Sequence, residues 1–169
     1  VIAAPFTALG SVAVALLASG LDTRVCLAAQ HVHPEPAGAY TGEISTAMLL
    51  DAGCGAVILG HSERRALFDE SSAFVADKLR AVQAAELRAI VCIGETLEER
   101  EAGRTFEVLG EQLVNELHGL LLARVLQARA LPDILVTFDN PGGQSFVADL
   151  KGIGMHLEKT ELALHIDDG

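Results

Sequence analysis

The sequence predicts an α/β fold built on parallel strands, and three observations carry that prediction. Five short runs rich in Val, Ile, Leu and Ala, at 1–4, 24–29, 56–59, 89–93 and 134–138, are apolar on both faces, as strands buried in a parallel sheet are. Most of them begin close to the roughly 30 residues apart that a strand, a crossover helix and two loops require. The stretches between them show helical periodicity, so strand and helix alternate along the chain.

The first run, Val1-Ile2-Ala3-Ala4, exits into Pro5-Phe6-Thr7, and a helix over 11–19 carries Val12, Leu16 and Leu17 before a Gly20 stop. The second run leads into a segment from Gln30 to Glu43 that is long for a strand-to-helix loop. The third ends on Gly60, beyond which His61 and its neighbours open a short helical turn. Ser71 then caps a helix with Phe74, Val75, Leu79 and Val82 on one face. The fourth run exits at Gly94-Glu95-Thr96. A long helix over about 105–127 repeats Leu109, Leu113, Leu117 and Leu120, a stripe that must lie on the sheet; it has too few repeats for a coiled coil. The fifth run meets a strong turn at Asp139-Asn140-Pro141-Gly142-Gly143. Beyond it, 145–151 and 156–166 suit a helix or a strand equally. No linker interrupts the chain, so 1–169 reads as a single domain.

Composition narrows the function. The net charge is −11, and no basic cluster is longer than Arg64-Arg65, which argues against a nucleic-acid partner or an anionic-membrane patch. Cys26, Cys54 and Cys92 form no C-x-x-C pair and are odd in number, so neither a disulfide framework nor a zinc ribbon is expected and a reducing, cytoplasmic compartment fits best. Residues 1–21 hold no charge, which leaves a membrane anchor as one alternative. The missing basic flank, and the breaks at Pro5, Thr7, Gly10 and Ser11, favour a strand, a loop and a helix there instead.

In parallel α/β folds, ligands bind where the strands' carboxyl ends converge. The strand exits here are Pro5-Phe6-Thr7, Gln30-His31-Val32-His33, Gly60-His61-Ser62-Glu63-Arg64-Arg65, Gly94-Glu95-Thr96 and Asp139-Asn140. The third is the richest, with an imidazole beside a carboxylate and two guanidinium groups. Gly60 lets the chain turn sharply, and backbone N–H groups of the following helical turn point at the ring. Such donors keep the imidazole neutral, so that its own N–H can polarise a substrate carbonyl. The plain alternatives are a hydrogen-bonded loop histidine and a solvated arginine pair bridged to Asp69 or Glu70. His31 and His33 with Glu35 also admit a metal-site reading, which Pro34, Pro36 and the lack of a second ligand cluster disfavour.

The run Gly60-His61-Ser62-Glu63-Arg64-Arg65 resembles the active-site histidine motif of the triosephosphate isomerase family. Gln30-His31-Val32-His33-Pro34, Gly38-Ala39-Tyr40-Thr41-Gly42-Glu43-Ile44-Ser45 and Cys92-Ile93-Gly94-Glu95-Thr96 resemble that family's third loop and fifth-strand exit, in order and at matching distance. Pro5-Phe6-Thr7-Ala8-Leu9 resembles its second-strand exit. The likeness spans about residues 1–120 and implies a partial (β/α)8 barrel of about five parallel strands.

The resemblance implies interconversion of dihydroxyacetone phosphate and glyceraldehyde 3-phosphate through an enediolate, in glycolysis and gluconeogenesis, with no cofactor and no metal. It makes His61 the catalytic electrophile and Ser62 a backbone-positioning residue near the substrate. Glu63 becomes a group behind the histidine, paired with a lysine, its plain alternative being a surface carboxylate. The loop carrying Gln30, Thr41 and Glu43 would reach into the partner of a homodimer. His31 departs from the asparagine usual there, and His33 from a usual tyrosine-like position.

The likeness stops at both ends. The family's Asn-x-Lys strand would precede Val1. Its Tyr-Glu-Pro run, which supplies the catalytic base, finds only Phe138-Asp139-Asn140-Pro141 as a nearest analogue. Asn140 cannot take a proton and Asp139 stands on the wrong side of the chain, so the base is unassigned. Neither Gly142-Gly143 nor Gly152-x-Gly154 matches the family's phosphate loops, and 131–169 reads as a divergent tail. A closed barrel takes about 250 residues, so an incomplete domain with little or no activity alone is expected. The alternative is a non-catalytic remnant that associates with a partner chain.

Overall fold

The computed structural model of the chain describes residues 1–104, 108–112, 115, 134–139 and 145–149, the last two segments as strand backbone. In chain order it contains β1 (Ile2–Ala4), a 3-10 turn (Phe6–Ala8), α1 (Leu9–Ala18), β2 (Leu27–Ala29), α2 (Thr46–Asp51) and β3 (Ala56–Leu59). There follow α3 (Ser62–Phe68), α4 (Ser72–Ala84), β4 (Arg88–Gly94), α5 (Leu97–Glu101), β5 (Ile134–Asp139) and β6 (Ser145–Asp149). All five apolar runs are strands. The second is shorter than its run, because the N–H groups of Arg24 and Val25 donate back to the carbonyl of Leu21 and spend the first residues on a turn.

The strands lie in sequence order in one six-stranded sheet. β1 to β5 are parallel neighbours, with Ala4 opposite Ala29, Leu59 opposite Val91 and Ile93 opposite Phe138. The β6 strand pairs antiparallel with β5, placing Ser145 opposite Asp139. The sequence left 145–151 open between helix and strand. The short connection decides the direction, since a parallel return needs a crossover of about a dozen residues or more. The turn at 140–143, and the bulk of the tail, lie outside the described residues.

Alternation along the strands sends one set of side chains under the helices. Leu27, Ala29, Val57, Leu59, Val91 and Ile93 pack there with Leu9 and Leu16 of α1, Leu49 of α2 and Val75, Leu79 and Val82 of α4. Burying each of the larger side chains contributes about 1.5–3 kcal/mol. The opposite face gathers Ala28, Ala56 and Ile90, with Ala3, Cys26 and Ile58 partly buried against them. The stripe of α4 holds, and that of α1 holds with one exception. Leu17, expected inside with Val12 and Leu16, is 68% exposed. Val108 is buried and Leu109 packs on the core, whereas Leu113, Leu117 and Leu120 fall outside the described residues.

Because β1 to β4 are parallel, Pro5, Gln30, Gly60 and Glu95 leave the sheet at one edge. That edge positions the site. Among the described residues, no helix is long and apolar enough to cross a membrane.

Candidate active site

His61 stands between the end of β3 and the start of α3, with φ −54° and ψ 141°, and serves as the cap of that helix. Its Nδ1 accepts the backbone N–H of Glu63 at 3.3 Å. An acceptor role at Nδ1 assigns the proton of the neutral ring to Nε2. The ring side chain is 38% exposed, so it borders solvent at the strand mouths. Glu63 Oε2 lies 3.7 Å from Nδ1, beyond hydrogen-bond range, on a largely solvated side chain. The helix N–H, and not the carboxylate, therefore makes the direct bond to the ring. Ser62 opens α3 on the exposed side of the same turn.

The two arginines have different partners. Arg64 Nε donates to Glu70 Oε1 at 2.6 Å, one of the bridges that the sequence allowed, and its guanidinium lies 4.5 Å from the Phe68 ring centre. Arg65 turns inward, donating to the Gly60 carbonyl at 2.8 Å.

The long loop is fastened at its base. Gln30 Nε2 donates to the Ala3 carbonyl of β1 at 3.2 Å, and the N–H of His33 donates to the Ile44 carbonyl at 2.8 Å. His31 Nε2 and Glu43 Oε2 meet at 2.6 Å. Tyr40 stacks against His33, with ring centres 4.1 Å apart, while Thr41 is exposed. The His33 Nδ1 accepts the N–H of Glu35 at 3.2 Å. The two imidazoles are thus each engaged locally. Among the described residues, no group of three or more His, Cys, Asp or Glu side chains is gathered to hold a metal ion.

Sequence reasoning missed the polar network behind this loop. Lys78 Nζ is 3.1 Å from His31 Nδ1 and bonds Glu70 Oε1, which also accepts from Arg64. Lys78 is 1% exposed and Glu70 5% exposed; with buried His31 and the more open Glu43 and Arg64 they join the loop, α3, α4 and their junction in one chain of contacts. Burial lowers the His31 pKa, and the neighbouring Lys78 and Arg64 charges lower it further, against the opposing pull of Glu43. The neutral ring then accepts from Lys78 at Nδ1 and donates from Nε2 to Glu43. Burial would raise the Glu70 carboxyl, but hydrogen bonds from Lys78 and Arg64 outweigh it and hold the group below its usual range. Burial also lowers Lys78, against its bond to Glu70. A signal was present: position 78 falls on the apolar face of α4 between Val75, Leu79 and Val82. A lysine there requires a buried acceptor.

Asp139 closes β5 opposite Gly94 at the same sheet edge. Asn140, Gly142, Gly143, Gly152 and Gly154 lie outside the described residues.

The model of the family described as triosephosphate isomerase matches residues 1–128. Curated relatives agree. A protein of Syntrophotalea carbinolica named triosephosphate isomerase is 50% identical over 139 residues, covering 82% of this chain and 51% of its own length. One of Symbiobacterium thermophilum with the same name is 54% identical over 120 residues, covering 71% of this chain and 45% of its own length. A third, from Moorella thermoacetica, is 43% identical over 165 residues, or 95% of this chain and 62% of its own length. The chain spans about half the length of the first two.

Proposed function

The chain belongs to the triosephosphate isomerase family, and from that premise we propose that it carries the electrophilic half of an aldose–ketose isomerase site acting on dihydroxyacetone phosphate and glyceraldehyde 3-phosphate. The observation that supports this reading is the capping of α3 by His61, whose Nδ1 accepts the Glu63 N–H. In the neutral ring that bond leaves Nε2–H to donate to a carbonyl oxygen.

The chemistry follows from the charge that develops. Removing a proton from the carbon beside the carbonyl creates an enediolate, and a donor already in place at the oxygen stabilises that charge without reorganisation. Nε2–H of His61 is this donor, and the same ring then carries protons between the two oxygens. Ser62 positions backbone near the substrate and Glu63 stands behind the ring. The base is assigned to no residue. The reaction needs no cofactor, and it belongs to glycolysis and gluconeogenesis in the cytoplasm. The loop carrying Gln30, Thr41 and Glu43 is the homodimer contact, and its fastened base, His31 on Glu43 and His33 on Ile44, supports a loop built to present its tip.

A coupled assay of the 169-residue chain against its His61→Gln variant tests the proposal. Weak turnover lost in the variant is the expected result. Turnover equal to buffer in both would instead favour a non-catalytic chain that associates with a partner.

A further inference from the structure

Neutral imidazole chemistry depends on where the ring is held, and the turn that presents His61 is pinned from both sides by one residue four positions later. The N–H of Arg65 donates to the His61 carbonyl at 3.1 Å, and its Nε donates to the Gly60 carbonyl at 2.8 Å. Those carbonyls belong to the peptide planes on either side of the His61 Cα. Fixing both planes fixes φ and ψ of His61, and with them the direction in which its side chain leaves the backbone.

The rest of the guanidinium reaches two further elements. Nη1 donates to Ser72 Oγ at the start of α4 at 3.2 Å, and Nη2 to the Cys92 carbonyl of β4 at 3.4 Å. The turn is therefore tied to the neighbouring strand and the following helix. Gly60 makes the arrangement possible. It has φ +69°, and a Cβ built there would lie 2.6 Å from Arg65 Nη2 and 3.2 Å from the Cys92 carbonyl oxygen. The guanidinium occupies the space that a side chain at position 60 would claim. Arg64, its neighbour in sequence, serves Glu70 instead and cannot substitute.

We propose that Arg65 is a positioning residue for His61, fastening the turn that presents the imidazole to β3, β4 and α4 at once. The proposal rests on the reading of His61 as the electrophile for its functional meaning, though not for its test. A planar fork serves three separated acceptors, whereas a lysine ammonium is a point charge on a flexible stem. Arg65→Lys therefore restores only part of what Arg65→Ala removes.

The test is long-range proton–nitrogen correlation of the imidazole rings in the 15N-labelled 169-residue chain, at a pH well above the ordinary histidine range. In the wild-type chain His61 shows one tautomer, protonated at Nε2. Arg65→Ala shifts the His61 nitrogens toward the averaged values of a ring exchanging between tautomers, while His31 and His33 keep theirs; Arg65→Lys falls between. A His61 pattern in Arg65→Ala that superimposes on wild type overturns the proposal. If Arg65→Ala moves every histidine together, Ser72→Ala decides: a smaller shift confined to His61 supports the fastening, and no shift overturns it. Unchanged turnover in His61→Gln would refute the catalytic reading and leave this tautomer result standing.

Discussion

The imidazole of His31 and the carboxylate of Glu43, at the two ends of a long loop, meet at 2.6 Å while Lys78 holds the other ring nitrogen at 3.1 Å. The ring is a latch whose two bonds require opposite protonation at its two nitrogens. Protonating Nδ1 would break the bond from Lys78 and set two cationic donors against each other.

The loop is therefore predicted to loosen on mild acidification. Burial, with the Lys78 and Arg64 charges, holds His31 below its usual 6.5, and Glu43 opposes them. Glu70 Oε1, 3.7 Å from Nδ1, also faces the ring. The unfolded chain then binds more protons than the folded one as pH falls below 6.5. The contribution is complete above that value and is lost between it and the lower folded pKa. Hydrogen exchange at the His33 and Glu43 amides, corrected for intrinsic rates, should accelerate across this window. His31→Gln should flatten the dependence, and an unchanged profile in that variant would refute the latch.

Glu70 is predicted to be among the costliest polar residues to remove. Lys78 is 1% exposed, so Glu70→Gln leaves an ammonium buried without its carboxylate, at a cost of about 3–5 kcal/mol. Lys78→Met combined with Glu70→Gln should recover most of the loss, because Arg64 is partly exposed and can turn to water. Urea unfolding of the wild-type chain and the two variants measures this. A double variant no better than Glu70→Gln would show that the lysine is not the source of the cost.

These two predictions fall where the sequence was least legible. The strands followed from apolar runs at βα spacing, their order from the family resemblance, and the His61 turn from a glycine and a helix start. Those signals are local. The network joins Glu43, His31, Lys78, Glu70 and Arg64 across separate elements, and no period or motif pairs them. Lys78 announced itself as a cation on the apolar face of α4, and Arg64 on Glu70 was one of the bridges the sequence allowed; the links through His31 and Glu43 had no such signal. The antiparallel β6 was illegible for another reason: a short strand after a strong turn has no periodicity with which to exclude a helix.

The cap of α5 makes a separate and smaller prediction. Thr96 Oγ1 accepts the Glu99 N–H at 3.2 Å, and Glu99 Oε2 accepts the Thr96 N–H at 2.8 Å, a reciprocal capping box. The Thr96 backbone N–H, and its hydroxyl, which donates to the same Glu99 oxygen at 2.8 Å, hold the Glu99 carboxyl below its usual range. Thr96→Ala should cost about 1 kcal/mol and raise the Glu99 pKa toward that of a free carboxyl. Titration by carbon-detected NMR reads the second effect directly, and an unmoved Glu99 would refute the box as its cause.

Gly60 and Arg65 should be energetically coupled. Alanine at position 60 must adopt φ +69°, at a cost of about 1–2 kcal/mol from the left-handed backbone alone. Its Cβ would also press on Arg65 Nη2, the Cys92 carbonyl oxygen and Val75 Cγ1. The guanidinium is the end of a flexible side chain and can withdraw, but withdrawing surrenders its bonds to Gly60, Ser72 and Cys92. Gly60→Ala therefore incurs part of the Arg65→Ala loss already. In a double-mutant cycle by urea unfolding, the combined variant should be less destabilised than the sum of the single ones, by about 1 kcal/mol for residues in such contact. Strict additivity would mean that the space beside Gly60 and the hold of Arg65 on the His61 turn are unrelated.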